Sequence, residues 1–134
     1  MATILAHIQL HPGKEEAFEA IARELFTETH ATEAAVRHYD YWRAQTPGLY
    51  YCLLAVEDHP AFIAHQASDH HEEASPKLGE LIADIRLEWV DPVGGASKLG
   101  PSRAAPLAAD ASKLEQRMAR FFPVDVAEWW PARD

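Results

Sequence analysis

The chain has one cysteine, no cluster of basic residues and no long apolar run, and each scarcity removes a class of function. Cys52 has no second cysteine with which to close an internal disulfide, and it lies in an apolar stretch where a buried, inert thiol is expected. Nothing near it in sequence would lower its pKa, so thiolate chemistry is not indicated. Twelve Lys and Arg stand against 21 Asp and Glu, giving a net charge of −9. Nucleic-acid binding depends on clustered cations that neutralise phosphates, so no nucleic-acid partner is expected. The opening segment MATILAHIQL carries no basic leader, and His7, Gln9 and His11 interrupt its apolar positions. It reads neither as a signal peptide nor as a spanning helix, so no membrane partner and a cytoplasmic location are the expectation. Gly94-Gly95 lacks the strand-to-helix setting and the following Lys-Ser/Thr of a phosphate loop, and no Ser/His/Asp motif supports hydrolase chemistry.

What is present is a chain of 134 residues, 48% hydrophobic, enough for one domain or one domain with an appendage. From Ala2 to Leu10 apolar side chains alternate with others, which predicts a strand with one dry face. Pro12-Gly13 stops it. Glu15 and Glu16 then open a helix whose apolar stripe is Phe18, Ile21, Ala22, Leu25 and Phe26. The run Val36 to Gln45 reads as a second strand, with His38, Asp40 and Trp42 on one face and Tyr39 and Tyr41 on the other. A turn at Thr46-Pro47-Gly48 returns the chain through Leu49 to Glu57, apolar enough for a central strand. Asp58 caps a further helical stretch carrying Phe62 and His65, and Ser68 or Asp69 restarts a helix that ends in the stripe Leu78, Leu81 and Ile82. A fourth strand is predicted from Asp84 to Val90.

The order β, α, β, β, α, β is the split βαβ, ferredoxin-like arrangement of an α+β fold, an antiparallel sheet with both helices on one face. Its other face needs a cover, and a second copy packed sheet to sheet is the least costly closed solution, so a homodimer is expected. After Pro92 the composition turns to Gly, Pro, Ala and Ser, which separates a domain over residues 1–93 from a C-terminal extension over 94–134. In that extension Ser112 and Glu115 have capping-box spacing ahead of a short amphipathic helix with Leu114, Met118, Phe121 and Phe122. A helix so short is marginal alone, and Trp129-Trp130 would be unusual in water. The tail is therefore expected to dock on a surface, that of the partner subunit included.

The strand ending in His11-Pro12-Gly13-Lys14-Glu15-Glu16, the aromatic hairpin around Tyr39-Asp40-Tyr41, and the helix Ala61-Phe62-Ile63-Ala64-His65-Gln66-Ala67-Ser68-Asp69-His70 together resemble the antibiotic biosynthesis monooxygenase family. The resemblance spans about residues 2–93. It implies a dimeric α+β barrel with a small pocket between helices and sheet in each subunit. Members include cofactor-free oxygenases that convert phenols or quinols to quinones using molecular oxygen, haem-degrading proteins, and members without established activity. The haem-degrading pattern has an Asn on the first strand, a Trp on the helix after the third strand and a later His. Here those positions offer His7 but no Asn, then His65, then Ser75, so the triad is absent.

The resemblance and the residues together point to a cofactor-independent monooxygenase acting on a small aromatic, quinol or polyketide-like compound. The competing expectation is a non-catalytic or stress-responsive barrel that binds a small ligand. Such an oxygenase needs a base near neutral pKa, and His65, at the family-pattern position, is the candidate; its alternative is a structural histidine satisfied by Ser68 or a backbone carbonyl. Arg86 is the second catalytic candidate, as a partner for a developing oxyanion, against an ordinary ion pair. Candidate substrate contacts are His7, His38, Tyr39, Tyr41, Trp42, Phe62, Ser68 and His70; whichever face of the second strand meets the helices would line the pocket. The run His70-His71-Glu72-Glu73 is read as a capped, solvated helix start and not as a metal site, because adjacent helical residues do not share a face, although His65 with Asp69, or His70 with Glu73, would.

Overall fold

The alternation of β1 (Ala2–Leu10) sends Ile4, Ala6, Ile8 and Leu10 into the core and leaves Leu5, His7 and Gln9 on the opposite face, as shown by a computed structural model describing residues 1–130. The turn at Gly13, with φ +78°, leads into α1 (Glu15–Thr32). This helix buries Phe18, Ala22, Leu25 and Thr29 at spacings of four, three and four, one helical face. Phe26, expected in the stripe, is 42% exposed, because that face turns away from the sheet. β2 (Val36–Arg43) and β3 (Leu49–Val56) form the hairpin. Its turn needs Gly48, whose φ is +76° and where a Cβ would stand 2.9 Å from the Gln9 amide.

The helix pair α2 (His59–Gln66) and α3 (Asp69–Leu81) is capped at both starts: Asp58 accepts from the Ala61 amide at 2.8 Å, and Ser68 from the His71 amide at 3.4 Å. β4 (Ile82–Val90) follows α3 without a loop, two residues earlier than the expected Asp84. Gln9 pairs with Asp84 and Leu10 with Ile82, so the bulge around Ala83 absorbs the early start. The sheet order is β2-β3-β1-β4, antiparallel throughout, with β3 interior as its apolar run requires.

Register fixes the two faces. Tyr39 and Tyr41 stand beside Leu54 and Cys52, which pair with Ile4 and Ala6, which pair in turn with Trp89 and Leu87. All of these face the helices. His38, Asp40, Trp42, His7, Arg86 and Glu88 occupy the other face, with Trp42 60% exposed.

Beyond Val90 the chain stays on its own domain. Ser102 donates from its hydroxyl to the Val90 carbonyl, and the Arg103 amide donates to the Met1 carbonyl. The capping box of Ser112 and Glu115 starts α4 (Lys113–Phe121). α4 lies against α2: the Phe122 carbonyl meets His59 Nε2 at 2.9 Å, the Pro123 carbonyl accepts from Trp89 Nε1 at 3.1 Å, and the Phe122 ring packs on Phe62. Docking is thus on the chain itself, with Trp129 left 65% exposed; the rest of the expected arm, 131–134, lies outside the described residues. Among the described residues no helix is long and apolar enough to cross a membrane.

Candidate active site

α2 and α3 meet at Ala67-Ser68 and lie over the sheet with space between them and it. The result is a cavity of about 550 Å³ whose floor includes Tyr39, Tyr41, Cys52 and Leu54 and whose roof includes Phe62, His65, His71 and Leu78. β4 and the tail contribute Ile85, Leu87 and Phe122 to its remaining side, which is open where Ile85 and Leu87 are exposed. This is the size and the lining, apolar and aromatic with few polar groups, of a small-molecule site. A more open groove of about 720 Å³ runs between α1 and the β2 edge, but its Arg23, Arg43 and Glu19 are occupied with one another. There Glu19 takes Arg43 in a two-point pair and accepts from the Tyr50 hydroxyl. Those bonds, Arg43 first, hold its carboxyl at a pKa of about 2.

His65 is placed in the cavity wall by α2 and is 1% exposed. Its ring nitrogen Nδ1 lies 3.0 and 3.1 Å from the two carboxylate oxygens of Glu33. With Nδ1 so engaged, Nε2 is the nitrogen left for a ligand, and no described protein group bonds it. The expected partner Ser68 instead donates from its hydroxyl to the His65 carbonyl at 2.7 Å and caps α3. Glu33 is the residue the sequence reading missed. It follows the C-terminal end of α1, where a carboxylate opposes the helix dipole, and that misfit was the available signal that its partner lies elsewhere. Burial pulls the Glu33 pKa upward, but the hydrogen bond from His65 and the nearby His65 and His70 outweigh it, and the net direction is down.

Tyr39 stacks edge-on against His65 with ring centres 4.8 Å apart, and its hydroxyl shares a 2.6 Å hydrogen bond with that of Tyr41. Burial raises both phenols well above their ordinary value, so they remain neutral donors and acceptors. Burial likewise pushes the Cys52 thiol up to about 12, consistent with an inert residue. His71, in the roof, is lowered to about 4 by burial and then by His65 and His70, and its Nδ1 is buried without a hydrogen-bond partner.

Of the sequence-derived candidates, the structure brings Tyr39, Tyr41, Phe62 and His65 together around the cavity. His70 turns to Glu33, 2.8 Å away, and to Thr29. His7, His38, Trp42 and Arg86 lie on the opposite face of the sheet, where Arg86 contacts His7 and Glu88 at 3.0 Å. No Lys or Arg lines the cavity among the described residues.

The sequence profile of the antibiotic biosynthesis monooxygenase family matches residues 1–77. The fold is similar to a Pseudomonas aeruginosa protein at 26% identity, TM-score 0.62, covering 66% of this chain and 90% of that one. It is also similar to a Mycobacterium tuberculosis protein at 22% identity, TM-score 0.65, covering 72% and 98%. A provisionally named antibiotic biosynthesis monooxygenase from Caulobacter crescentus matches at 24% identity, TM-score 0.65, covering 69% and 89%. No curated protein matches the chain significantly.

Proposed function

The chain belongs to the antibiotic biosynthesis monooxygenase family, and from that membership we propose that it is a cofactor-independent monooxygenase for a small aromatic, quinol or polyketide-like substrate. The observation that carries this reading is His65, buried in an aromatic cavity with Nδ1 held by Glu33 and Nε2 left over. A carboxylate on one ring nitrogen fixes the tautomer and leaves the other nitrogen as a proton acceptor. In this reading His65 Nε2 takes a proton from the substrate, and the resulting electron-rich ring reacts directly with molecular oxygen. For a ring CH2 the products are a carbonyl and water. The substrate supplies all four electrons, so the balance needs no external reductant. Tyr39 and Tyr41 orient the substrate oxygen, and Phe62 packs on the ring.

The absence of Lys or Arg from the described cavity lining favours the second reading, a barrel that binds a flat apolar ligand without turning it over. Oxygen uptake with a panel of reduced quinols and anthrone-like phenols separates the two. Turnover that is lost in His65→Ala supports the enzyme; equal turnover in both proteins removes the role given to His65, and tight ligand binding without oxygen uptake supports the second reading.

We also propose that residues 1–93 act as the barrel domain, with 94–134 as its extension, and that the sheet face bearing Leu5, Tyr51 and Leu53 packs on a second copy. A light-scattering mass equal to one chain would remove the dimer.

A further inference from the structure

Three elements converge on one point behind the cavity wall: the end of α1 brings Glu33, α2 brings His65, and the first turn of α3 brings His70. Their donor atoms all lie within 4.8 Å of one another. Both imidazoles turn a nitrogen to the same carboxylate, His65 Nδ1 at 3.0 Å from Oε2 and His70 Nε2 at 2.8 Å from Oε1. His70 Nε2 is also 3.1 Å from Thr29 Oγ1 and 3.3 Å from Ser68 Oγ. Three oxygens thus crowd one ring nitrogen that has at most one proton to give. A hydrogen-bond network explains one of those approaches well, and a cation among the donors explains the crowding as a whole.

We propose that Glu33, His65 and His70 form a site for a divalent transition-metal ion, with Zn²⁺ the best match to two imidazoles and one carboxylate. Zinc binds nitrogen and oxygen at about 2.0–2.2 Å, which sets neighbouring tetrahedral donors about 3.3 Å apart. Both imidazole–carboxylate separations are within about half an ångström of that, so the ion replaces two hydrogen bonds with small side-chain movements. The widest donor separation, at most 4.8 Å, closes by about 1.5 Å, within the rotation available to the partly exposed His70. Thr29 Oγ1 or a water completes four-coordination. The way in is visible: His70 opens into a surface dent of about 100 Å³ whose rim carries Glu24, Glu28 and Glu73 beside a single Lys77, a negative field that draws cations.

Glu33 and His70 do not line the cavity, so the ion sits on the far side of the His65 ring from the ligand. A bound ion occupies Nδ1 and leaves the proton on Nε2, so the loaded protein has no free base. That consequence, unlike the site itself, rests on His65 being the base.

The test uses the full chain, freed of metal with a chelator and titrated with Co²⁺ and then Zn²⁺. The expected result is one Co²⁺ per chain with the intense visible bands of a four-coordinate ion, displaced by Zn²⁺. Glu33→Gln and His70→Ala each weaken binding by more than about 10-fold, while His11→Ala, on the exposed β1–α1 turn, does not. Circular dichroism checks that each variant is folded; Glu33→Gln keeps the shape of the side chain and His70→Ala suits a helix. A pale six-coordinate spectrum, or binding that survives both substitutions, overturns the site. Loss of oxygen uptake on Zn²⁺ loading adds the link to His65. Binding without oxygen uptake in any state leaves the site standing and removes the enzyme reading instead.

Discussion

Two histidine–carboxylate contacts of nearly equal length sit on opposite faces of the same sheet. His65 and Glu33 meet at 3.0 Å behind the cavity, and His7 and Glu88 meet at 3.1 Å on the face away from the helices. The first pair has side-chain exposures of 2% and 15%, the second 25% and 47%. In the second, Arg86 bonds both partners, and within a single chain water and salt reach and screen the pair. In the first, the imidazole is shielded from solvent and Glu33 nearly so, so the same two groups fix a tautomer and an orientation. Distance alone does not separate a contact that fixes a ring from one that solvent loosens; burial does.

The comparison breaks most visibly in activity. His65→Ala is expected to lower quinol-dependent oxygen uptake by about 10²–10⁴-fold, the usual worth of a positioned base, while Glu88→Ala leaves it unchanged. Next comes stability. Glu33→Ala strands a buried imidazole and is expected to cost about 3 kcal/mol, read as a lower urea midpoint by tryptophan fluorescence. A third effect comes from Glu19, which lies between the two extremes, with its side chain 19% exposed. Its pKa falls from the ordinary 4.5 to about 2 in the folded chain, chiefly through Arg43 and then Tyr50. A carboxyl depressed on folding contributes stability that is complete above about pH 4.5 and lost as pH falls toward 2, so Glu19→Gln flattens the stability profile in that window. The smallest effect is Glu88→Ala, expected to leave the urea midpoint within the error of the curve even though His7 and then Arg86 lower its pKa. No shift would place Glu88 at the rim of the sheet-to-sheet contact proposed above, and a large one would place it inside that contact.

Much of the fold was legible because local rules and packing agree. The alternation of β1, the caps at Asp58 and Ser68 and the Ser112-Glu115 box stand where the sequence places them. β4 began early because a bulge, which has no sequence signature here, takes up Ala83. The site was legible only in part. His65 stood out by pattern, whereas Glu33 reaches it across 32 positions, and Thr29 is buried because His70 bonds it and not because it is apolar. Arg86 alternates with Leu87, so only the pairing of Arg86 with His7 and of Leu87 with Ala6 decides which of them sees the cavity.

The cavity is walled almost wholly by the sheet and its covering helices, with Phe122 the one lining residue that comes from the C-terminal extension. Leu87 and Ile85 belong to β4, which is paired along β1 and cannot be spared. Phe122, by contrast, sits at the end of a short helix that rests on α2. Trimming or varying that segment therefore recuts one wall of the mould and leaves the sheet and His65 in place, so the choice of guest can shift while the fold stays as it is.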